Sequence, residues 1–258
     1  MKGLQIFTHS LRQVTGNLEG AIRISAVPYL VQFAAGLIVT RPWNATAQME
    51  AMVQLGMGHG PSVLLALVNL VIALVTSIWM AVAWHRFVLK NEAPTGFIPA
   101  FRGDQILAYF LRSLGIAVIC IILAIPLGMI AGFIAYPFMG PYGPNILTII
   151  LIMLITYFPL VLISYRLSAS LPAVAVDEAG SFTAGWDATQ GATGDLAVLA
   201  LVSVAVFVGG SLLGLYVFGA IGILSIAWTF VFHWLVMMIG VSILTTLYGH
   251  YIEKRALV

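Results

Sequence analysis

Between Arg112 and Arg166 lie 53 consecutive residues without Asp, Glu, Lys or Arg, and between Asp195 and Glu253 lie another 57. Each run is long enough for two helical spans of about 20 residues and a turn, because a helix rises about 1.5 Å per residue across about 30 Å of hydrocarbon. The rest of the chain agrees: charged residues make up 8% of its 258 positions and hydrophobic residues 61%, whereas a soluble domain carries about 25% charged residues. Lipid is therefore the solvent for most of the chain. Membrane strands alternate polar with apolar residues and these runs do not, so the expected fold class is an all-α polytopic membrane protein.

Six spans are expected, at about residues 21–40, 62–84, 106–135, 145–166, 196–218 and 226–248. The third is longer than a bilayer needs, which Pro126 accommodates by a kink and Arg112 by lying among headgroups. No removable signal peptide is expected, since the first apolar run starts late and is long enough to remain as an anchor. The lone Cys120 rules out a disulfide within the chain and reads as a small packing residue.

Orientation follows from basic residues, which cytoplasmic loops retain. With the N-terminus inside, ten of the 11 Lys and Arg residues fall on the cytoplasmic side and Arg41 alone falls outside. The net charge of +2 then reflects topology and implies no nucleic-acid partner.

Two short polar phrases, FTHSLRQVTG at residues 7–16 and SFTAGWDATQG at 181–191, each precede an outward span. In the first, Leu4, Phe7, Leu11, Val14 and Leu18 recur at helical steps and predict a helix lying in the interface. Gly16 is expected to end it, Asn17 to cap the next helix, and Glu19 to face the positive end of that helix's dipole. In the second, Phe182, Trp186 and Thr189 share a face, Gly191 stops the helix, Thr193 caps, and Asp195 stands where Glu19 stood. A fainter copy, PTGFIPAFRGDQ at 94–105, has Gly103 as stop and Asp104 as cap. Glycines 16, 103 and 191 are spaced by 87 and 88 residues, which predicts three hairpins, each preceded by a cytoplasmic interfacial helix. The chain then forms one integral-membrane domain over 1–258 with repeats 1–90, 91–172 and 173–258. The hairpins return to aromatic and basic ends, Trp84, His85 and Arg86 in the first and Tyr165 and Arg166 in the second. These residues read as interfacial anchors.

The stretch SYRLSASLPAVAVDEAGSFTAGWDATQG, with Arg166, Leu171, Pro172, Ala173, Ser181, Trp186, Thr189 and Gly191, resembles the signature of the YciC-type bacterial inner-membrane proteins and the related membrane domain of glycerophosphoryl diester phosphodiesterases. AWHRFVLKNEAP at 83–94 is similar to a phrase such proteins carry after their second span. The resemblance implies a six-span inner-membrane protein whose biochemical role is generally unassigned. It implies no phosphodiesterase activity, because that catalytic domain is a separate barrel that does not fit in this chain.

Within the spans, His233 alone titrates near neutral pH, and an ionisable group at that depth marks a candidate functional residue. The competing reading is a neutral histidine hydrogen-bonded to a neighbouring helix and packed with Trp228 and Trp234. Gln32, Asn69, Ser77 and Thr156 are expected to satisfy one another or backbone carbonyls between helices. Pro28, Pro126 and Pro159 are expected to kink their helices, freeing carbonyls for a cavity or for neighbouring helices. Gly128 with Gly132, and Gly210 with Gly214, have the spacing that permits close helix approach. Outside, Met49, Met52, Met57 and His59 offer soft ligands suited to Cu(I), although Met49, Met52 and Val53 also form one face of a short surface helix, and no metal site is assigned.

No paired acids, no nucleophile with its base and no phosphate-cradling glycine loop is visible, so neither catalysis nor ATP binding is expected, and no cofactor. Asp177, Glu178, Asp187 and Asp195 read as a solvated or docking face. The expected role is that of a non-catalytic inner-membrane protein, a membrane-homeostasis or accessory component packing against membrane lipid or a larger membrane complex. The alternative is a small-solute or proton-linked transporter or channel with a path near His233. On a Cys120→Ser background, Thr95→Cys and Gly180→Cys are expected to react with an impermeant thiol reagent only from the cytoplasmic side. Labelling of either from outside overturns the orientation.

Overall fold

A computed structural model of the chain describes residues 2–40, 63–140, 145–178, 180–219 and 221–257. It is all-helical in its regular elements: α1 (Lys2–Thr15), α2 (Leu18–Thr40), α3 (Val63–Lys90), α4 (Gly103–Ala135), α5 (Ile146–Ser168), the short α6 (Leu171–Ala175) and α7 (Ala184–Ala188), α8 (Thr193–Leu213) and α9 (Gly222–Leu247). Helices α2, α3, α4, α5, α8 and α9 are each long and apolar enough to cross a membrane, and their bounds follow the charge-free runs to within a few residues. Pro28, Pro126 and Pro159 each lie inside a helix that continues past them. The copper reading falls on residues 41–62, outside the described residues.

Both ends of the chain lie at one end of the bundle, termed the basic end, where all ten Lys and Arg of the described residues sit within about three helical turns. Three clusters of buried side chains pack there. One joins Ile78 and Val82 of α3 to Tyr109 and Ile116 of α4 and Leu171 of α6. Another joins Ile6 of α1 to Leu199 of α8 and Leu247 of α9. The third joins Val14 of α1 to Ile24 of α2, Trp84 of α3 and Met238 of α9. Helix α9 runs through the centre: 44% of its most apolar stretch is buried, against 22% or less in the other five spans. Toward the opposite end large apolar side chains face outward, as Met129 and Phe133 of α4 do, the latter 85% exposed. Such a surface fits hydrocarbon and not water.

Helix α1 differs from the expected interfacial stripe. Gly3, Ile6, Phe7, Ser10 and Val14 are buried, while Leu4 and Leu18 are exposed. The seam has turned because α1 packs against two spans at once. A Cβ on Gly3 would stand 2.1 Å from the Asp195 carbonyl oxygen and 2.8 Å from the Leu199 nitrogen of α8, so the backbones meet where only glycine fits. On the other side the Ser10 hydroxyl donates to Thr246 of α9 at 2.9 Å, and the Ser242 hydroxyl donates to the Ser10 carbonyl at 3.0 Å.

The entry phrases also diverge locally. Asn17 turns its side-chain amide back to the Gln13 carbonyl at 2.9 Å, closing α1 instead of capping α2. Residues 91–102 form no helix; Gly103 opens α4, with Arg102 at the cap position in place of Asp104. Gly191 lies in a short 3-10 turn, Gln190–Ala192, and Thr193 is already the first residue of α8, behind an uncapped Ala192. Of the two glycine pairs, Gly210 and Gly214 are pressed by the rings of Phe232 and Trp228, whereas Gly128 and Gly132 face open space.

Gly3→Val is expected to lower the stability of the detergent-solubilised protein by about 1–3 kcal/mol, the range for overpacking a close contact, while Gly128→Ala is expected to be tolerated. Thermal melts of the two variants beside the parent check this, and equal melting overturns the close α1–α8 packing.

Candidate functional site at the basic end

The last turns of α3 carry Trp84, His85 and Arg86, and successive residues on a helix point about 100° apart. At a membrane interface three such side chains would anchor in headgroups. Here α3 ends inside a ring of other elements, and all three are buried. Trp84 enters the cluster with Val14, Ala21, Ile24 and Met238, its indole nitrogen enclosed without a hydrogen-bond partner. The expected anchors are thus core residues, each directed into a different seam.

His85 points to α4 and α9. Its Nδ1 lies 2.8 Å from the Thr245 hydroxyl and its Nε2 3.2 Å from the Tyr109 hydroxyl. Thr245 already donates to the Val241 carbonyl at 3.0 Å, so it accepts from His85. This assigns the proton to Nδ1 and makes Nε2 the acceptor of the Tyr109 O–H, a neutral tautomer with both nitrogens engaged. The two rings also stack, 5.7 Å apart.

Arg86 points to α6 and to the loop behind α3. Its Nε and Nη2 donate to the two oxygens of Glu92 at 2.9 and 2.5 Å, and its Nη1 donates to Asp177 at 2.7 Å and to the Ala175 carbonyl at 2.8 Å. Local backbone chemistry sets this up. Asn91 adopts φ 54°, the left-handed conformation that asparagine tolerates, and the Glu92 amide then bonds back to the Arg86 carbonyl at 3.3 Å, a helix-ending motif that returns Glu92 beside Arg86. Asp177 has φ 62° just beyond α6. Arg102 donates to Glu92 at 2.9 Å and Gln105 to Asp177 at 2.6 Å, so α4 joins the same cluster. The Arg86 guanidinium holds both carboxyls below their usual range, Asp177 falling from 3.8 to about 2.

Arg166, at the end of α5, is held differently. Its Nη2 donates to the Thr193 hydroxyl at the start of α8, and its guanidinium lies over the Trp186 ring of α7, 5.0 Å from the centroid. Thr189 returns its hydroxyl to the Gly185 carbonyl at 2.8 Å, and Pro172 is buried in the first turn of α6. Arg112 of α4 donates to the carbonyls of Gly180 at 2.6 Å and Ser170 at 3.4 Å. The segment between α5 and α7 is thereby gripped by Arg86 and Arg112, while Arg166 ties the end of α5 to α7 and α8.

The intramembrane candidates scatter. His233 lies on the outward side of α9, exposed, with Phe232 beside it turned inward; neither the enclosed path nor the packing expected of it with Trp228 and Trp234 is present. Trp234 instead donates to Ser25 of α2 at 2.7 Å and Trp228 to the Gly210 carbonyl at 3.0 Å. Gln32 of α2 does join helices, its oxygen accepting from Thr76 at 3.1 Å and Ser77 at 3.2 Å of α3. Asn69 sits half-buried on α3, and the Thr156 hydroxyl of α5 is enclosed without a partner, contrary to its expected satisfaction. Among the described residues no three His, Cys, Asp or Glu side chains gather where they could hold a metal ion. Tyr109, Thr245 and Glu92 carried no signal as site residues; only the Asn91-Glu92 pair following Lys90 had a local cue, a helix-stop asparagine.

Depressed carboxylates stabilise the fold fully above their ordinary values and lose that contribution as pH falls through their folded values. Melting temperature is therefore expected to hold steady above about pH 5 and to fall steeply below about pH 4. A Glu92→Gln/Asp177→Asn double variant is expected to melt lower at pH 7 and to show a shallower acid decline; parallel curves for parent and variant overturn this role for the cluster. No family model, no curated protein and no solved structure matches the chain.

Proposed function

We propose that this chain is a non-catalytic integral protein of a bacterial inner membrane, with both termini cytoplasmic, that acts by packing against lipid or a larger membrane complex. The observation that carries the reading is the use of its buried polar side chains. Both nitrogens of His85 and the whole working edge of the Arg86 fork bond to other segments of the same chain. Gln32, Ser10 and Ser242 likewise join helix to helix. These groups hold a shape; Arg86, Glu92 and Arg102 also line a cavity of about 340 Å³, but its other lining residues are Ala, Pro, Ile, Val and Thr95, with no His, Cys, Ser or Lys to serve there as an activated nucleophile or its base.

The resemblance to the YciC-type proteins supports the inner-membrane placement. A transport path near His233 loses its main feature, since that ring faces outward from the bundle.

Reconstitution into vesicles containing a pH-sensitive dye tests the two readings. Parent and His233→Phe proteins are both expected to show the proton leak of protein-free vesicles. A leak present in the parent and lost in His233→Phe overturns the non-catalytic, non-transporting role.

A further inference from the structure

The chain between α3 and α4 does not stay at the basic end. Glu92 is held beside Arg86, yet eight residues later the Ala100 carbonyl accepts from the Trp79 indole at 3.2 Å, and the Phe101 ring meets Trp79 edge-on at 5.3 Å. Trp79 lies seven residues before Arg86 on α3, about 10 Å further into the span. Residues 91–102 therefore double back along α3 as a strap, and Arg102 then returns to Glu92 at 2.9 Å. Phe97, Ile98 and Phe101 of the strap are 57%, 62% and 62% exposed. Three large apolar side chains on a segment laid against a membrane-crossing helix match lipid, not water.

Beneath the strap lies the cavity of about 340 Å³, within the range of about 300–1,000 Å³ usual for small-molecule sites. Ile24 of α2 and Val82 and Arg86 of α3 line it and are almost wholly buried, whereas Thr95, Ile98 and Arg102 line it from the strap and are more open. Ile98 is both a wall of the cavity and part of the exposed apolar face, so the cavity borders the surface that meets lipid.

Charge at the cavity does not balance. Arg86 and Arg102 both bond to Glu92, and the second carboxylate on Arg86, Asp177, is shared with Lys90. Three cations thus meet two carboxylates, an excess of one positive charge. Arg86 is committed to other segments of the fold through all three of its nitrogens. Arg102 bonds to Glu92 through Nη2 and keeps a side chain 38% exposed. It is the cation open to a ligand.

We propose that this cavity holds the anionic headgroup of one phospholipid, its phosphate on Arg102 and its acyl chains leaving past Ile98 along the exposed face of the strap. The inference rests on the lipid-packing role proposed above and names the lipid class and the place. Arginine suits the phosphate because its planar fork meets two oxygens at once. A headgroup of net negative charge is favoured over a zwitterionic one, because an ammonium would add to the positive charge already in excess.

The full chain, reconstituted in nanodiscs of phosphatidylcholine with a minor fraction of phosphatidylglycerol and released into mild detergent, is analysed by native mass spectrometry. The parent is expected to retain one phosphatidylglycerol in preference to phosphatidylcholine. Arg102→Gln is expected to lose that preference by about tenfold, the consequence of removing a charge-assisted hydrogen bond. Lys90→Gln removes a cation of the same cluster that does not line the cavity, and is expected to keep the preference. Equal loss in these two variants overturns the site in favour of diffuse charge attraction. Ala93→Trp, which leaves Arg102 in place and sets a large ring at a lining position, is expected to reduce retained phosphatidylglycerol severalfold. This variant decides the matter if Arg102→Gln does not fold. Equal retention of both lipids by the parent, or unchanged retention in both Arg102→Gln and Ala93→Trp, overturns the site. Displacement of the lipid by millimolar glycerol phosphate also overturns it, in favour of a soluble phosphate site. None of these outcomes bears on the vesicle leak assay, so a failed lipid site and a failed non-transporting role are separately visible.

Discussion

The arrangement of the basic end depends on the enclosure of the Arg86 guanidinium. A charge can be withdrawn from water only where it is paired and its donors are met, and the two carboxylates that meet it come from separate segments, the loop after α3 and the turn after α6. Holding them brings Arg102 and Gln105 of the α4 entry into the same cluster. With α3 fixed in this way, Trp84 and His85 on its neighbouring faces reach α2, α9 and α4. One helix end thus sets the relative positions of four spans.

Away from that end the molecule is organised by different physics. In hydrocarbon the hydrophobic effect does not drive one apolar helix against another, so association depends on close packing and on hydrogen bonds. Both occur there at particular residues: Gln32 accepts from Thr76 and Ser77, and Gly210 and Gly214 lie beneath Phe232 and Trp228. Gly128 and Gly132 meet no neighbouring helix, although Ala131 and Ala135 in the same stretch of α4 are fully buried. A motif of small residues is permissive only; it becomes a contact when the facing helix supplies a large ring.

The same distinction explains which site residues were legible. Arg166 and Trp186 stood out as a phrase, and the structure joins them through the guanidinium and the indole. Trp84, His85 and Arg86 also stood out, but as surface anchors, because an aromatic and basic helix end looks the same whether it meets headgroups or other helices. His233 was conspicuous for being alone in an apolar span. Its place on the outer face of α9 depends on which side of that helix packs, and an all-round apolar helix carries almost no periodic signal of its facing side.

From composition and charge spacing alone, the six spans were determined, along with their all-helical class, because the requirement that backbone groups be satisfied in lipid leaves no other structure for such runs. The pairing of basic residues with partners was decided only by the tertiary structure. Thr245 is 160 positions from His85 and Asp177 is 91 from Arg86, and no local pattern reports a bond across that distance. The same packing decided that α1 would bury Gly3 and Ser10 against two spans and leave Leu4 outside, since the lowest-energy face of a helix is the one its neighbours complement.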